Sequence, residues 1–180
     1  MRSSRDQYLN LDLRESARKT SRRLWFLLFL IVLVWSLLIL MPAVLAANGS
    51  GAAATGLYSF FGYICHQLPD RSFHIFGHKL GVCSRCCGVY FGLVLGVLIY
   101  PFFRRINEID PLPLYWLVLS MIPIGIDWSL TVFGIWENTF FTRFTTGLVL
   151  GTACSVFVIP ALSELAHMYH FRKSHVPAGT

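Results

Sequence analysis

From Leu24 to Ala47 the chain runs for 24 residues without a charged side chain. A helix of about 20 apolar residues is long enough to cross the ~30 Å hydrocarbon layer of a membrane. Three further segments have the same character: residues 86–103, 114–133 and 143–165. In lipid the backbone must satisfy its own polar groups, so such segments span as helices. The expected fold is therefore an all-α polytopic membrane bundle of about four transmembrane helices. Composition agrees. Hydrophobic residues make up 55% of the 180-residue chain and charged residues 13%, against about 25% charged in a soluble domain.

The first segment has a competing reading. A basic stretch, an apolar core and then Ala43-Val44-Leu45-Ala46-Ala47 also resemble a secretory signal with a small-residue cleavage site. The core is long for a signal and the basic stretch extended, which favours a retained span. Residues 48–55 form a small-residue linker, and residues 56–64 are apolar but too short to cross, so an interfacial or re-entrant half-helix is expected there. Residues 65–85, broken by Pro69, Gly77 and Gly81, read as an irregular polar loop. Residues 107–113 and 134–142 read as short loops. The domain reading is a polar tail over 1–23, with room for a short surface helix, a membrane domain over 24–165 and a second tail over 166–180.

The net charge of +6 invites a nucleic-acid partner, but its distribution excludes one. Seven of the fifteen Lys and Arg residues precede residue 24, where basic residues flank the cytoplasmic end of a span. With both termini in the cytoplasm, inner segments carry eleven basic residues (Arg2, Arg5, Arg14, Arg18, Lys19, Arg22, Arg23, Arg104, Arg105, Arg172, Lys173). Outer segments carry four, namely Arg71, Lys79, Arg85 and Arg143. This orientation puts the 65–85 loop outside the cytoplasm.

Four of the five cysteines fall in that loop and at the start of the next span: Cys65, Cys83, Cys86 and Cys87. The run is Cys65-His66-Gln67-Leu68-Pro69-Asp70-Arg71-Ser72-Phe73, then Gly77, then Cys83-Ser84-Arg85-Cys86-Cys87-Gly88-Val89-Tyr90. A second group follows: Asp127, Asn138 and Arg143-Phe144-Thr145-Thr146-Gly147-Leu148. Together these resemble the membrane family called domain of unknown function 2085, over roughly residues 56 to 155. The resemblance implies membership of a membrane family and supplies no mechanism. Trp128 departs from the pattern, which implies a small residue beside Asp127. The expected location is a bacterial or archaeal cell membrane.

The cysteines admit three chemistries. Thiolates at CxxC spacing can grip a zinc ion, with Cys65 and His66 completing a tetrahedral set alongside Cys83 and Cys86. His74 and His78, four apart, are substitutes if their stretch is helical. Alternatively Cys83 and Cys86, at a helix N-terminus beside Arg85, are a redox pair, as in membrane thiol oxidoreductases; against it, the 134–142 loop carries no second pair. Thirdly, a disulfide from Cys65 to Cys83 or Cys86 pins the loop. Cys87 faces lipid or packing, and Cys154, alone in a span, reads as a small hydrophobe.

Asp127 lies six or seven residues inside its span, about 10 Å deep, so it must be paired, neutral or facing water. Its structural role would be an ion pair with Arg143; its functional one, a contact to substrate, proton or metal. Arg71, Arg85 and Arg143 can clamp an anion, and Gln67 and Asn138 are added as ligand-binding candidates. The expected function is a zinc-holding Cys/His site beside an Arg/Asp pocket for an anionic or lipidic ligand. Alternatives are a thiol–disulfide oxidoreductase and a small transporter or channel, the last needing an oligomer to build its path. His167, His170 and His175 read as a solvated tail.

Overall fold

The computed structural model describes residues 4–106, 108, 110 and 112–175, with side chains from Glu15 to Tyr169. Part of the 107–113 loop, and the side chains of Arg2, Arg5, Arg14, His170, Arg172, Lys173 and His175, lie outside the described residues. The chain forms α1 (Ser4–Leu38), α2 (Met41–Ala47), α3 (Gly51–Gly62), a 3₁₀ turn (Pro69–Arg71), β1 (His74–Ile75), β2 (His78–Lys79), α4 (Ser84–Phe103), α5 (Tyr115–Val132) and α6 (Phe140–His175). It is an all-α bundle, and four of its helical stretches are long and apolar enough to cross a membrane: Glu15–Ala47, Ser84–Phe103, Tyr115–Val132 and Phe140–Tyr169. Large apolar side chains such as Phe26, Ile31 and Val34 on α1, and Val118, Met121 and Ile126 on α5, stand exposed. An apolar surrounding such as lipid covers them without penalty, whereas water does not.

Two helices are longer than their apolar segments. The polar stretch before residue 24 continues the helix of the first span instead of forming a separate tail, and α6 carries on past residue 165. A helix does not end where hydrophobicity ends; it ends where caps or breakers stop it, and neither stretch contains a proline or glycine at those joins. The first span does break, at Ile39–Leu40, ahead of Pro42 near the N-terminus of α2. The break leaves the Ile39 carbonyl free to accept the Gly81 N–H at 2.9 Å.

The bundle is built on α4 and α6, which run side by side in the same direction, with α1 antiparallel across both. Their seam is a stripe of small residues every fourth position: Ser84, Gly88, Gly92 and Gly96 on α4 against Gly147, Gly151 and Ser155 on α6. A Cβ at Gly88 would strike the Phe144 carbonyl, and one at Gly151 the Val89 carbonyl. The two backbones therefore touch, as small residues permit in a medium that offers no hydrophobic drive between helices. Across the seam the Thr152 hydroxyl donates to the Gly92 carbonyl at 3.2 Å. From α1, Trp25 Nε1 donates to the Val97 carbonyl at 2.9 Å, and Ser36 Oγ to the Tyr90 carbonyl at 3.3 Å.

Over one end of this seam the cysteine loop sits on its own apolar core, formed by Ile39, Ala43, Phe61, Cys65, Leu80, Val82 and Cys87. Trp35 meets Phe60, Phe61 and Tyr90 edge-on beneath it, and Phe73 lies between Phe140 and Phe144 of α6. Gly81 is required here: a Cβ would come within 2.8 Å of the Phe61 ring and 3.2 Å of the Ile39 carbonyl. The stretch holding His74 and His78 is a hairpin, not a helix. Its turn residues Phe76 and Gly77 take φ of 55° and 78°, the two left-handed positions that a two-residue hairpin turn demands.

Candidate metal and anion site

Cys83 caps α4 in extended conformation (φ −68°, ψ 163°), which sets its side chain at the mouth of the helix. Cys86, three residues on, shares its face. Cys65 comes from the far side of the loop, where the chain leaves α3 and the Cys65 N–H still bonds the Phe61 carbonyl at 2.9 Å. Folding the loop over its apolar core brings the three sulfurs within 4.8 Å of one another. The Cys83 N–H donates to Cys65 Sγ at 3.2 Å. All five cysteines are free thiols. A tetrahedral zinc with Zn–S bonds of 2.3 Å sets its sulfurs about 3.8 Å apart, so the trio fits such an ion with small side-chain adjustment. The Cys83 thiol is pulled well below the usual thiol range, first by the Cys65 and Cys86 side chains and then by the amides that open α4.

The expected fourth ligand does not join them. His66 is exposed and stands outside the sulfur cluster, as do the hairpin histidines His74 and His78. Cys65 is buried against the loop core while the next residue, His66, is exposed. Cys87 is buried in the core beneath the loop.

Beside the sulfurs lies a cavity of about 300 Å³ lined by Arg71, Cys83, Arg85, Cys86, Trp128, Thr131, Val132, Asn138 and Arg143. Behind it Asp127, 9% exposed, accepts from Arg85 Nη2 at 2.5 Å and from Asn138 Nδ2 at 2.9 Å. Asn138 Oδ1 in turn accepts from Arg143 Nε at 2.5 Å. The ion pair of Asp127 is thus made with Arg85, and Arg143 is reached only through Asn138. Helix α5 turns Asp127 toward α4, and the 133–139 loop places the amide between carboxylate and second guanidinium. One carboxylate faces three guanidiniums, so the cavity carries excess positive charge. Arg85 Nε is buried without a partner.

The structure therefore brings together Cys65, Cys83 and Cys86, and around one cavity Arg71, Arg85, Asp127, Asn138 and Arg143. It does not bring Gln67 to the cavity. Gln67 is buried at φ 46°, and its Nε2 donates to the Tyr58 carbonyl at 2.7 Å. Lys79 Nζ donates to the Gln67 carbonyl at 3.0 Å, and the Tyr58 hydroxyl to the Lys79 carbonyl at 2.5 Å. These three residues form a closed ring that clamps the loop, a supporting role. Tyr58, Lys79 and Thr131 carry no motif; only folding brings the first two into the loop clamp and the third to the cavity wall.

The model of the family described as a predicted membrane protein, domain of unknown function 2085, matches residues 65–157. That stretch holds the loop, α4, α5 and the first half of α6, and leaves α1 to α3 outside. An uncharacterised protein of Methanocaldococcus jannaschii is 36% identical over 111 residues, covering 62% of this chain and 71% of that protein. A second uncharacterised protein, from Methanothermobacter thermautotrophicus, is 38% identical over 96 residues, covering 53% of this chain and 85% of its own length. No solved structure matches the chain. The matched residues run from the first sulfur of the cluster through the helices that wall the cavity, and on that ground the chain belongs to the domain of unknown function 2085 family of predicted membrane proteins.

Proposed function

We propose that the protein holds a metal ion, zinc for preference, on Cys65, Cys83 and Cys86, and that this centre forms one wall of a cavity that binds an anionic or lipidic ligand through Arg71, Arg85 and Arg143. The observation that carries the reading is the sharing of Cys83 and Cys86 between the sulfur trio and the arginine-lined cavity. Three thiolates close off the protein side of a tetrahedral ion, and the cavity side is left for a fourth ligand. A metal held this way supplies Lewis-acid polarisation of a ligand oxygen. Asp127 and Asn138 do the positioning: they hold Arg85 and Arg143 as fixed donors beside the sulfurs. By the distribution of basic residues, both termini lie in the cytoplasm and the sulfur-bearing end lies outside it.

Elemental analysis and thiol counting on the detergent-purified protein test the metal. We expect about one zinc per chain, lost in Cys65→Ser, Cys83→Ser and Cys86→Ser and kept in His66→Ala and Cys87→Ser. Metal-free protein with its cysteines oxidised would overturn the reading. A second reading, a thiol–disulfide oxidoreductase, draws support from the lowered Cys83 thiol three residues from Cys86. It requires a Cys83–Cys86 disulfide that forms and breaks reversibly with quinone, and no metal. The orientation is tested at the hairpin tip, where Phe76 is 75% exposed. A membrane-impermeant maleimide should label Phe76→Cys from outside intact cells.

A further inference from the structure

The cavity and the wall below it belong to the same three helices. Helix α5 leans on α6 and barely touches α4. What joins α5 to α4 is the Arg85–Asp127 pair at the sulfur-bearing end. Deeper in the bundle a groove of about 530 Å³ opens between α5 and the α4–α6 pair, lined by side chains that include Leu95, Trp116, Leu148 and Ala153. Two hydroxyls reach it, and both are turned onto backbone: Ser120 Oγ donates to the Leu117 carbonyl at 2.6 Å, and Thr152 Oγ1 to the Gly92 carbonyl at 3.2 Å. Apart from these and the Trp116 indole the lining is aliphatic or aromatic carbon, which suits a hydrocarbon occupant.

Its depth fits one in particular. Along α6 the groove runs from Leu148 to Phe157, five to fourteen residues past Arg143. At 1.5 Å per residue that is about 8 to 21 Å below the guanidinium's helix position. Half of the hydrocarbon layer is about 15 Å thick, so the upper part of the groove, at Leu148, Val149 and Thr152, lies at the depth of a tail hanging from a headgroup held at the interface, while Phe157 and the Trp116 end of α5 lie past the bilayer midplane. Above the groove sit three guanidiniums against one carboxylate. A phosphate is the headgroup chemistry that such a fork of donors matches.

We infer that the ligand is a membrane lipid with an anionic phosphate headgroup, which lies among Arg71, Arg85 and Arg143 while one tail lies in the groove between α5 and the α4–α6 pair. The inference rests on the cavity being an anion site and is independent of the metal. Trp128 and Thr131 on α5 wall the headgroup end, and the same helix lines the groove below them at Ser120 and Leu119. One helix thus borders both ends of the lipid.

The test uses delipidated full-length protein in detergent, titrated with phosphatidylglycerol, phosphatidylcholine and glycerol 3-phosphate, with binding counted by native mass spectrometry. Phosphatidylglycerol should bind one to one, and each of the others at least about tenfold more weakly. Arg143→Gln should weaken phosphatidylglycerol and glycerol 3-phosphate alike. Ala153→Phe, which fills the groove, should weaken phosphatidylglycerol about tenfold and leave glycerol 3-phosphate unchanged. Unchanged thermal unfolding and elution volume verify that each variant is folded; Trp25→Phe, on α1 and outside both the cavity and the groove, should bind as the parent does. Equal binding of phosphatidylcholine would make the groove a seat for any surrounding lipid and overturn the inference. So would glycerol 3-phosphate binding as tightly as the lipid, or indifference to Ala153→Phe. If the protein proves metal-free and the lipid pattern holds, the metal reading fails alone. If zinc is present and the pattern is absent, the lipid inference fails alone.

Discussion

Helix α4 has two neighbours of opposite kind. Against α6 it lies backbone to backbone along a stripe of glycine and serine, with no room for one added methyl group at Gly88 or Gly151. Against α5 it keeps a single polar latch, Arg85 to Asp127, and below that latch a groove. In lipid, apolar side chains gain nothing from leaving the solvent, so helix pairs are held by close packing or by polar bonds. The first device gives a permanent seam; the second gives a contact that a competing anion can weaken. The sulfur trio and both arginines of the latch-and-amide relay, Arg85 and Arg143, are mounted on or beside the seam, and the less closely packed wall of the cavity is α5. Under the proposed function, this division keeps the ligating atoms fixed on one side of the cavity.

The division breaks first at the seam. Gly151→Leu must push the Val89 carbonyl away, and overpacking of this kind costs about 1–3 kcal/mol or more in a close-packed interior. With backbone rather than a side chain in the way, we expect the upper end: no monodisperse protein, or a melting temperature in detergent lowered more than by any change at the α5 side. Next comes the latch. Asp127→Leu leaves Arg85 without its counter-charge; removing one partner of a buried pair costs about 3–5 kcal/mol, and the lower end applies because Arg85 borders a cavity. Thermal unfolding measures this, and proteolysis or exchange should report α5 loosening while α4 and α6 stay protected. The double change Arg85→Met with Asp127→Leu should recover most of that stability, since two apolar residues need no partner, yet should abolish anion binding. Recovery of both would mean that the arginines do not bind the ligand.

Smaller effects sharpen the same contrast. Asn138→Ala removes the amide between Asp127 and Arg143 and should cost about 1–3 kcal/mol, the penalty for leaving buried polar groups unpaired. Its signature is a drop in affinity for phosphatidylglycerol with zinc content intact. Least of all, Trp25→Phe removes the bond from Nε1 to the Val97 carbonyl, worth about 1 kcal/mol, and should leave metal and lipid binding untouched because it lies at the opposite end of the bundle.

Much of this molecule can be read from its residues in order. Four long apolar segments require a helical bundle, because only a helix satisfies its own backbone in lipid. Cys83 and Cys86 announce a paired site because three residues is nearly one helical turn. The small-residue stripe is also legible as an every-fourth repeat, Ser84-Gly88-Gly92-Gly96, to a reader who looks for close packing. Other assignments depend on what lies across the fold. Cys65 enters the cluster and His66 does not, because Cys65 packs into the apolar core under the loop while His66 is left exposed. Gln67 clamps the loop and does not line the cavity, since Tyr58 and Lys79 arrive beside it only after folding. Asp127 takes Arg85 and not Arg143 because helix rotation, set by contacts along the whole of α6, decides which guanidinium its carboxylate meets. Local order along the chain specifies periodicity and spacing; which of several equally charged partners is touched is settled by the packing of elements far apart in sequence.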